Sequence, residues 1–277
     1  MKKVIFRGIV VSLLIFFTFL LVDSYQTVFF DKELFDKGIM GAKTRQENYQ
    51  IALGIVPHDI FAGFIITDFF QRLSFQNPKT IIILGPNHYE KGNFKVLTSL
   101  SGWQTPFGKI FPDELIIEGL LAENLVEVDE EVLKNEHAVG ALLPFLKLYL
   151  PETTVVPLVL SGRLDFEEIG VLAQKLLTYQ KEGVIILASI DFSHHLRSEE
   201  ARSKDDLTLR LIESFNYREI LALDDRYLDS PPALVTILMM AEKLGKNGFE
   251  VFYHTNSGEV AKNEWLPTTS YCSGAFY

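Results

Sequence analysis

Histidines stand at the ends of three short apolar runs, and imidazole is a common protein ligand for iron, copper and zinc. The motifs are Val-Pro-His-Asp with His58, Leu-Gly-Pro-Asn-His with His88, and Asp-Phe-Ser-His-His with His194 and His195. A single histidine of this kind would be interpreted as a hydrogen-bonded or solvent-facing loop residue. Three in equivalent positions instead predict that the side chains meet at one metal site.

The apolar runs before these motifs are rich in β-branched residues, which is typical of strands buried on both faces of a sheet. We predict such strands over residues 51–56, 80–84, 154–160 and 184–190. Helical patterns occupy residues 61–75, 113–122, 139–148, 166–179, 198–214 and 231–244, and late strands residues 249–254 and 271–276. This alternation predicts a single α/β domain, an αβα sandwich with a mostly parallel central sheet.

Parallel strands place their carboxyl ends on one edge of a sheet, where ligand crevices form. His58, His88 and His194 are therefore expected on the same side of the molecule, although they are far apart in the sequence. The neighbouring Pro and Gly residues restrict the turns that direct these side chains. Strand ends are also rigid, and a tightly held ion requires rigid ligands.

Asp229 is the candidate for a third metal ligand, and it has a second interpretation. It stands in Leu-Asp-Ser-Pro-Pro, and Asp or Ser before Pro is a common helix start, at which the side chain caps the backbone. As a ligand beside His58 and His88 it would complete the two-histidine, one-carboxylate arrangement of non-haem iron oxygenases, which leaves positions open for substrate and oxygen. The sequence leaves both interpretations open.

Three further residues are candidates for catalytic roles around the metal: His194, Asp191 and His137. We expect His194 to act as an acid or base whose tautomer is fixed by Asp191. Glu136-His137 opens another helix, where a polar cap and a contact with the ligands or the substrate are equally consistent with the sequence. The other candidates are expected outside the site, namely His195 in solvent and His254 and Cys272 in structural positions.

The N-terminus has the pattern of an export signal. Lys2, Lys3 and Arg7 precede the uncharged residues 8–22, and Asp23 ends the run. Fifteen helical residues span about 22 Å, less than the bilayer core of about 30 Å, so length does not separate an anchor from a signal peptide. The exit from the run contains no clear cleavage motif, and we expect an uncleaved anchor with the rest of the chain outside the cytoplasm. A cleaved signal peptide and a secreted protein is the alternative.

These features divide the chain into three parts: residues 1–23, a signal anchor or signal peptide; residues 24–50, a polar linker or lead-in; and residues 51–277, the α/β domain. The chain has 26 Lys and Arg against 36 Asp and Glu, which excludes a broad attraction for nucleic acid or anionic lipid. We expect a small-molecule or peptide partner, and contact with a membrane only through the N-terminal segment.

Seven fragments from residue 54 onward together resemble the MEMO family, whose bacterial and archaeal branch is the AmmeMemoRadiSam system protein B group. They are Gly54-Ile-Val-Pro-His58, Leu84-Gly-Pro-Asn-His88, Gln104-Thr-Pro-Phe-Gly108, Glu136-His137 with Leu143-Pro144-Phe145, Ser189-Ile-Asp-Phe-Ser-His194, Asp229-Ser-Pro-Pro232 and Thr269-Ser-Tyr271. The family shares its fold with class III extradiol ring-cleaving dioxygenases. The resemblance implies an αβα sandwich with a mononuclear iron or copper site.

Carried over residue by residue, the resemblance implies that His58 and His88 are the two histidine ligands and that His194 lines the pocket. One position departs from the pattern, because eukaryotic members have a cysteine ligand where this chain has Leu228 and Asp229. Either Asp229 replaces that cysteine or the site is incomplete, and copper chemistry that needs a thiolate is disfavoured. Export would also separate the domain from the cytoplasmic radical SAM companion that the branch name implies.

The leading hypothesis is a metal-dependent dioxygenase or other oxidoreductase. His58, His88 and Asp229 would hold Fe(II), and copper or zinc are the alternative metals. O₂ and a small phenolic or other chelating substrate would take the open positions of the metal. His194 would move protons. A second hypothesis is a non-catalytic module that uses the same pocket to bind a ligand or peptide. A third is zinc-assisted hydrolysis by the same ligands.

Overall fold

The computed structural model describes residues 24–26, 29–43, 50–180 and 183–277. The predicted anchor at residues 1–23 lies outside these ranges. Among the residues that are described, no helix combines the length and the apolar character needed to cross a membrane.

Twelve strands, eleven α-helices and one 3₁₀ turn are formed within the described ranges. The strands are β1 Ser24–Gln26, β2 Leu53–Val56, β3 Thr80–Pro86, β4 Val96–Thr98, β5 Gly102–Thr105, β6 Gly108–Ile110, β7 Glu127–Val128, β8 Thr154–Leu160, β9 Val184–Ser189, β10 His194–Leu196, β11 Phe249–Asn256 and β12 Thr268–Phe276. The helices are α1 Lys32–Gly41, α2 Gly63–Ser74, α3 Glu114–Leu121, α4 Glu130–Asn135, α5 His137–Gly140, α6 Leu143–Tyr149, α7 Phe166–Tyr179, α8 Ser198–Glu213, α9 Tyr217–Leu221, α10 Pro231–Lys243 and α11 Ser257–Val260.

The main sheet has a parallel centre and antiparallel edges. Its order is β10-β12-β2-β9-β3-β8-β4-β7, and β11 pairs with β12 away from this path. The four central strands β2, β9, β3 and β8 are parallel, whereas β12 runs antiparallel to β2 and β4 antiparallel to β8. A separate small sheet contains β1, β5 and β6. The predicted α/β fold with a mostly parallel sheet is confirmed: the four predicted buried strands form the parallel centre, and the two predicted late strands are the antiparallel β11 and β12.

Strand β3 shows why helices cover both faces of the sheet. Every residue of β3 is buried, and successive strand residues point to opposite faces. Ile81 and Ile83 pack with residues of α1, α2 and α6, whereas Ile82 and Leu84 pack with residues of α3, α7 and α10. The two clusters are the two apolar layers of an αβα sandwich.

Two segments differ from the predicted pattern. The helix predicted over residues 139–148 is two helices, α5 and α6, and Pro144 lies in the first turn of the second, where a missing N–H costs nothing. The segment interpreted as a lead-in, residues 24–50, contains β1 and α1. Helix α1 packs closely on α2, since a Cβ added to Gly38 would lie 2.7 Å from the backbone of Gly63, and its Phe35 is buried.

Candidate metal centre

Three central strands deliver polar side chains to one point at the carboxyl edge of the sheet. Strand β9 lies between β2 and β3. His58, His88 and Asp191 are each the second residue after the end of β2, β3 and β9, respectively. Neighbouring parallel strands thus bring together residues that are 30 to more than 100 positions apart in the chain, as the strand-end argument predicted for His58 and His88.

The imidazole of His58 lies at the centre of this group. Its Nε2 atom is 3.3 Å from Oδ2 of Asp229 and 3.5 Å from Oδ2 of Asp191. Its Nδ1 atom is 3.3 Å from the hydroxyl oxygen of Ser189, and that hydroxyl donates to the carbonyl of Ala138 at 2.6 Å. Because the Ser189 proton is used there, the hydrogen-bond network assigns the His58 proton to Nδ1. The lone pair of Nε2 then faces two carboxylates.

Burial keeps the His58 ring neutral. The side chain is 1% exposed, and the pKa of His58 lies well below its usual value because burial penalises the charged ring and because His88 and His137 are close. The His58 backbone N–H donates to Oδ1 of Asp191 at 3.1 Å, which fixes the backbone on which the ring stands. A neutral imidazole with an available lone pair is the form that binds metals.

Glu136 orients His88. Its Oε1 atom is 2.6 Å from Nδ1 of His88, and its Oε2 atom accepts the His88 backbone N–H at 3.0 Å. Burial alone would raise the pKa of Glu136, but the hydrogen bonds from His88 and from the Ala138 N–H lower it overall. The carboxylate thus holds the proton on Nδ1 and directs Nε2 towards Asp229, whose Oδ2 is 3.9 Å away. Histidines that bind metals commonly have such a partner.

Asp229 does not cap helix α10, because Ser230 has that position. The Ser230 side chain accepts the N–H of Ala233 at 3.3 Å. Asp229 instead pairs with Asp191: its N–H donates to the Asp191 carbonyl at 3.2 Å, and its Oδ2 accepts the Asp191 N–H at 3.0 Å. Its Oδ1 atom is buried and has no hydrogen-bond partner within the described structure. Of the two interpretations of Asp229, the helix cap is wrong, and the ligand role stays a prediction.

The two buried carboxylates repel each other. Burial raises the pKa of Asp229 well above its usual value, and the proximity of Asp191 adds to the effect. Burial likewise raises the pKa of Asp191, with a further contribution from Asp59. Asp191 and Asp229 form no ion pair with a Lys or Arg of the described residues. A bound cation would stabilise the ionised form of both carboxylates and pair with the lone pair of His58.

His137 joins the site from the first residue of α5. Its ring stacks on that of His88 with 3.9 Å between centroids, and its Nδ1 is 3.3 Å from Oε1 of Glu136. Burial, together with the nearby His88, lowers the pKa of His137. Two overlapping sets have ligand atoms that all lie within 4.8 Å of one another: His58, His88 and His137, and His58, Asp191 and Asp229. The predicted triad of His58, His88 and Asp229 takes members from both.

Helix α5 approaches β3 closely because of Gly85. A Cβ at residue 85 would lie 2.8 Å from the Cβ of Ala138, which real side chains do not allow. The glycine therefore brings His137, at the start of this helix, next to the strand that carries His88.

The predicted pairing of His194 with Asp191 is wrong. Asp191 is directed at His58, whereas the carboxylate that lies within 4 Å of His194 in the described structure is Asp225, at 3.5 Å from Nδ1. The strand sets this arrangement, because the N–H of His194 donates to the Asp225 carbonyl as β10 begins. Burial lowers the pKa of His194. His195 is 82% exposed, as expected for a residue that faces solvent.

A cavity of about 330 Å³ lies beside these residues. It is lined by Phe29, His58, Asp59, Ile60, His137, Ala141, Asp191, His194 and Thr269. This volume is in the range of small-molecule sites. A ligand in the cavity would therefore lie against His58, His137 and His194.

Sequence reasoning missed the partners that orient the site. Glu136 was considered only with its neighbour His137, and its bond to His88, 48 positions away, is a tertiary contact. Ser189 and Asp59 were also missed, and the available signal was their place at or beside the strand-end motifs. His254, expected to be structural, pairs with buried Asp205 at 3.0 Å.

Comparison with known proteins identifies proteins that are similar to this chain over most of its length. The family model described as Memo-like protein matches residues 33–273. A MEMO1 family protein of Caldivirga maquilingensis is 28% identical over 258 residues, which cover 89% of this chain and 90% of the relative. One of Sulfolobus acidocaldarius is 28% identical over 217 residues, with 75% and 76% covered. A solved structure of an uncharacterized protein from Escherichia coli K12 is similar in fold, with a TM-score of 0.53 at 15% sequence identity. The superposition covers 80% of this chain and 99% of the chain in that structure.

Proposed function

Because the chain belongs to the Memo-like protein family, we propose that it binds one transition-metal ion, iron(II) first of all, through His58, His88 and Asp229, and acts as an oxidoreductase of the dioxygenase type on a small substrate. The observation that carries the proposal is the buried Oδ1 atom of Asp229, which has no hydrogen-bond partner among the described residues. It belongs to a carboxylate that faces the unprotonated Nε2 of His58.

The fit between these residues and a divalent cation follows from their electrostatics. Removing a carboxylate from water without a partner costs several kcal/mol, so two adjacent buried carboxylates beside a lone pair are unfavourable unless a cation joins them. Two histidines and one carboxylate are the donor set of non-haem iron sites. Glu136 supplies the partner that such a site uses to fix the tautomer of its ligand histidine.

When bound, the metal would supply redox and Lewis-acid chemistry. The protein's own residues would hold the substrate and handle protons. His194 lines the cavity, is kept neutral by burial, and has a buried Nδ1 atom that makes no hydrogen bond in the described structure. With its Nδ1 proton on the side of Asp225, 3.5 Å away, the ring would accept a proton from a substrate hydroxyl at Nε2, and Asp225 would stabilise the resulting cation.

Metal analysis of protein purified without chelators tests this proposal. The wild type is expected to retain one iron per chain, and His58→Ala, His88→Ala and Asp229→Asn are expected to lose it. His195→Asn is the matched control, because it removes an exposed imidazole, and Asn tolerates the φ of +60° at this position. Equal trace metal in all five proteins contradicts the proposal. Oxygen uptake with a panel of catechols then tests the dioxygenase activity separately.

A zinc-dependent hydrolase is a second candidate, favoured by the three-imidazole set. His58, His88 and His137 have mutually close ligand atoms, and three histidines with an open position form a common catalytic zinc site. The two candidates differ in which substitution removes the metal. Loss of zinc in His137→Ala together with retention in Asp229→Asn would favour the hydrolase, and the reverse pattern would favour the iron site.

We further propose that residues 8–22 anchor the chain in a membrane with the α/β domain outside the cytoplasm. The support is the sequence pattern of Lys2, Lys3 and Arg7 before an uncharged run that ends at Asp23. An anchored chain stays in the membrane pellet after carbonate extraction, and a cleaved signal peptide leaves a mature N-terminus beyond residue 22. Recovery of the full-length chain in the soluble fraction would contradict both.

A further inference from the structure

We infer that Asp59 recognises a positively charged group of the ligand, so that the cavity beside the metal centre takes a small molecule with a protonated amine. The inference names a substrate class for the proposed site and in that respect rests on the proposed function. Asp59 follows His58 directly, and its side chain lines the cavity.

Two hydrogen bonds fix the Asp59 carboxylate. Its Oδ1 atom accepts the N–H of Phe61 at 2.9 Å, which caps the 3₁₀ turn Ile60–Ala62. Its Oδ2 atom accepts the hydroxyl of Tyr271 at 2.7 Å, and Tyr271 is fully buried on β12. Each oxygen keeps a second lone pair. The carboxylate is therefore held rigidly and can still accept hydrogen bonds from a ligand.

No Lys or Arg of the described residues pairs with Asp59. None of the residues that line the cavity in the described structure is Lys or Arg, and Asp59 takes part in no ion pair there.

A metal ion at the centre would leave Asp59 unbalanced as well. Asp191 and Asp229 lie 3.5 and 3.3 Å from Nε2 of His58 and match the charge of one divalent ion. Asp59 remains as a further negative charge on the wall of the cavity. Phe29, Ile60 and Ala141 provide apolar surface beside it. An amine on a small apolar or aromatic body complements this combination of charge and surface.

Paired probes test the assignment by calorimetric titration. Tyramine and 4-ethylphenol share a phenol and an ethyl chain, and only tyramine carries an ammonium group. The wild type is expected to bind tyramine at least about tenfold more tightly, the effect of a charged hydrogen bond. Asp59→Asn keeps an oxygen to cap the turn, and its amide N–H can donate to the Tyr271 hydroxyl, which can act as donor or acceptor. The variant should lose this preference while its affinity for 4-ethylphenol is unchanged.

Asp113→Asn is the matched control. Asp113 also caps a helix with one oxygen, through the N–H of Ile116, and accepts a hydroxyl, that of Thr80, with the other. It lies at the opposite edge of the sheet, at the start of α3, and its variant should bind both probes like the wild type. Equal binding of the two probes by the wild type, no binding of tyramine at millimolar concentration, or a preference that persists in Asp59→Asn would each overturn the inference.

Titrations of both metal-free and iron-loaded protein separate this inference from the proposed function. A preference for tyramine in a protein that takes up no iron when iron is supplied would support the role of Asp59 and contradict the metal centre. Retained iron without any preference would support the metal centre and contradict the role of Asp59.

Discussion

Replacing Asp229 by Asn is expected to stabilise the protein in the absence of metal. The Asn carbonyl can still accept the N–H of Asp191, and the neutral amide removes the buried negative charge that Asp229 carries next to Asp191 once it ionises. A buried polar group without a partner costs about 1–3 kcal/mol, and more when it is charged, so the free energy of unfolding at neutral pH should rise by about this amount. In a domain of this size each kcal/mol raises Tm by roughly 2–4 °C.

The gain should depend on pH. Because the pKa of Asp229 is raised by burial and by Asp191, the native state binds a proton more tightly than the unfolded chain does. This group stabilises the fold below its unfolded pKa of about 3.9, and that contribution is lost as the pH rises through the native pKa. Wild type and variant should therefore be about equally stable near pH 4, and the variant should gain its advantage as the pH rises to neutrality.

Asp205 provides the contrast, because it is equally buried and fully bonded. Its Oδ1 accepts the N–H and hydroxyl of Ser193, and its Oδ2 is 3.0 Å from Nε2 of His254. Asp205→Asn would place an amide donor against one of these donors and should lose about 1.5–3 kcal/mol. Chemical denaturation in the presence of a chelator, at acidic and at neutral pH, measures the free energy of unfolding of the metal-free wild type, Asp229→Asn and Asp205→Asn. A loss of stability in Asp229→Asn, or a gain that does not change with pH, would refute the reasoning.

Three further contacts can be tested by substitution. Glu136→Gln weakens the hydrogen bond that orients His88 and should lower metal affinity about 10–100-fold in a chelator competition. Unchanged affinity would contradict the role of Glu136 in orienting His88. His254→Gln tests the pKa of His254, which burial would lower but the hydrogen bond with Asp205 raises. The stabilisation is present below the unfolded pKa of about 6.5 and is lost as the pH rises through the native value, so the variant should lose about 1 kcal/mol more at acidic than at alkaline pH in urea unfolding. The opposite trend would be inconsistent with the pair. Gly85→Ala should lower the free energy of unfolding by about 1–3 kcal/mol in thermal unfolding, because the new Cβ overlaps helix α5. Gly170→Ala is the control: residue 170 has open space around it in α7, and this variant should gain about 0.5–1 kcal/mol. Similar effects at both positions would count against the close approach of α5.

The sequence predicted that the site lies at the carboxyl edge of the sheet, because that position depends on local apolar patterns. Residues of strands 154–160 and helix 166–179 form the elements that the apolar periods predict, with the same bounds. A parallel sheet then requires the residues after β2, β3 and β9 to share an edge. The order in which β9 lies between β2 and β3 follows from packing along the whole chain, and no local pattern contains it.

The roles of individual acids could not be predicted because they depend on contacts between distant segments. Asp229 and Ser230 both precede proline and are both good caps, and which one bonds the helix is decided by the pairing of Asp229 with Asp191. Proximity in sequence suggested that Asp191 serves His194, but the turn after β9 directs it to His58. Glu136 had no local feature that pointed to His88.

Phe29 lines the cavity, and it follows Asp23, the end of the uncharged run, by six residues. Six residues reach at most about 22 Å even when fully extended. On the proposed topology, the mouth of the cavity is therefore confined to the layer of solvent next to the bilayer. An amphiphilic amine that partitions into the membrane surface would be concentrated in this layer, and its search for the site would run along a surface rather than through the bulk solvent.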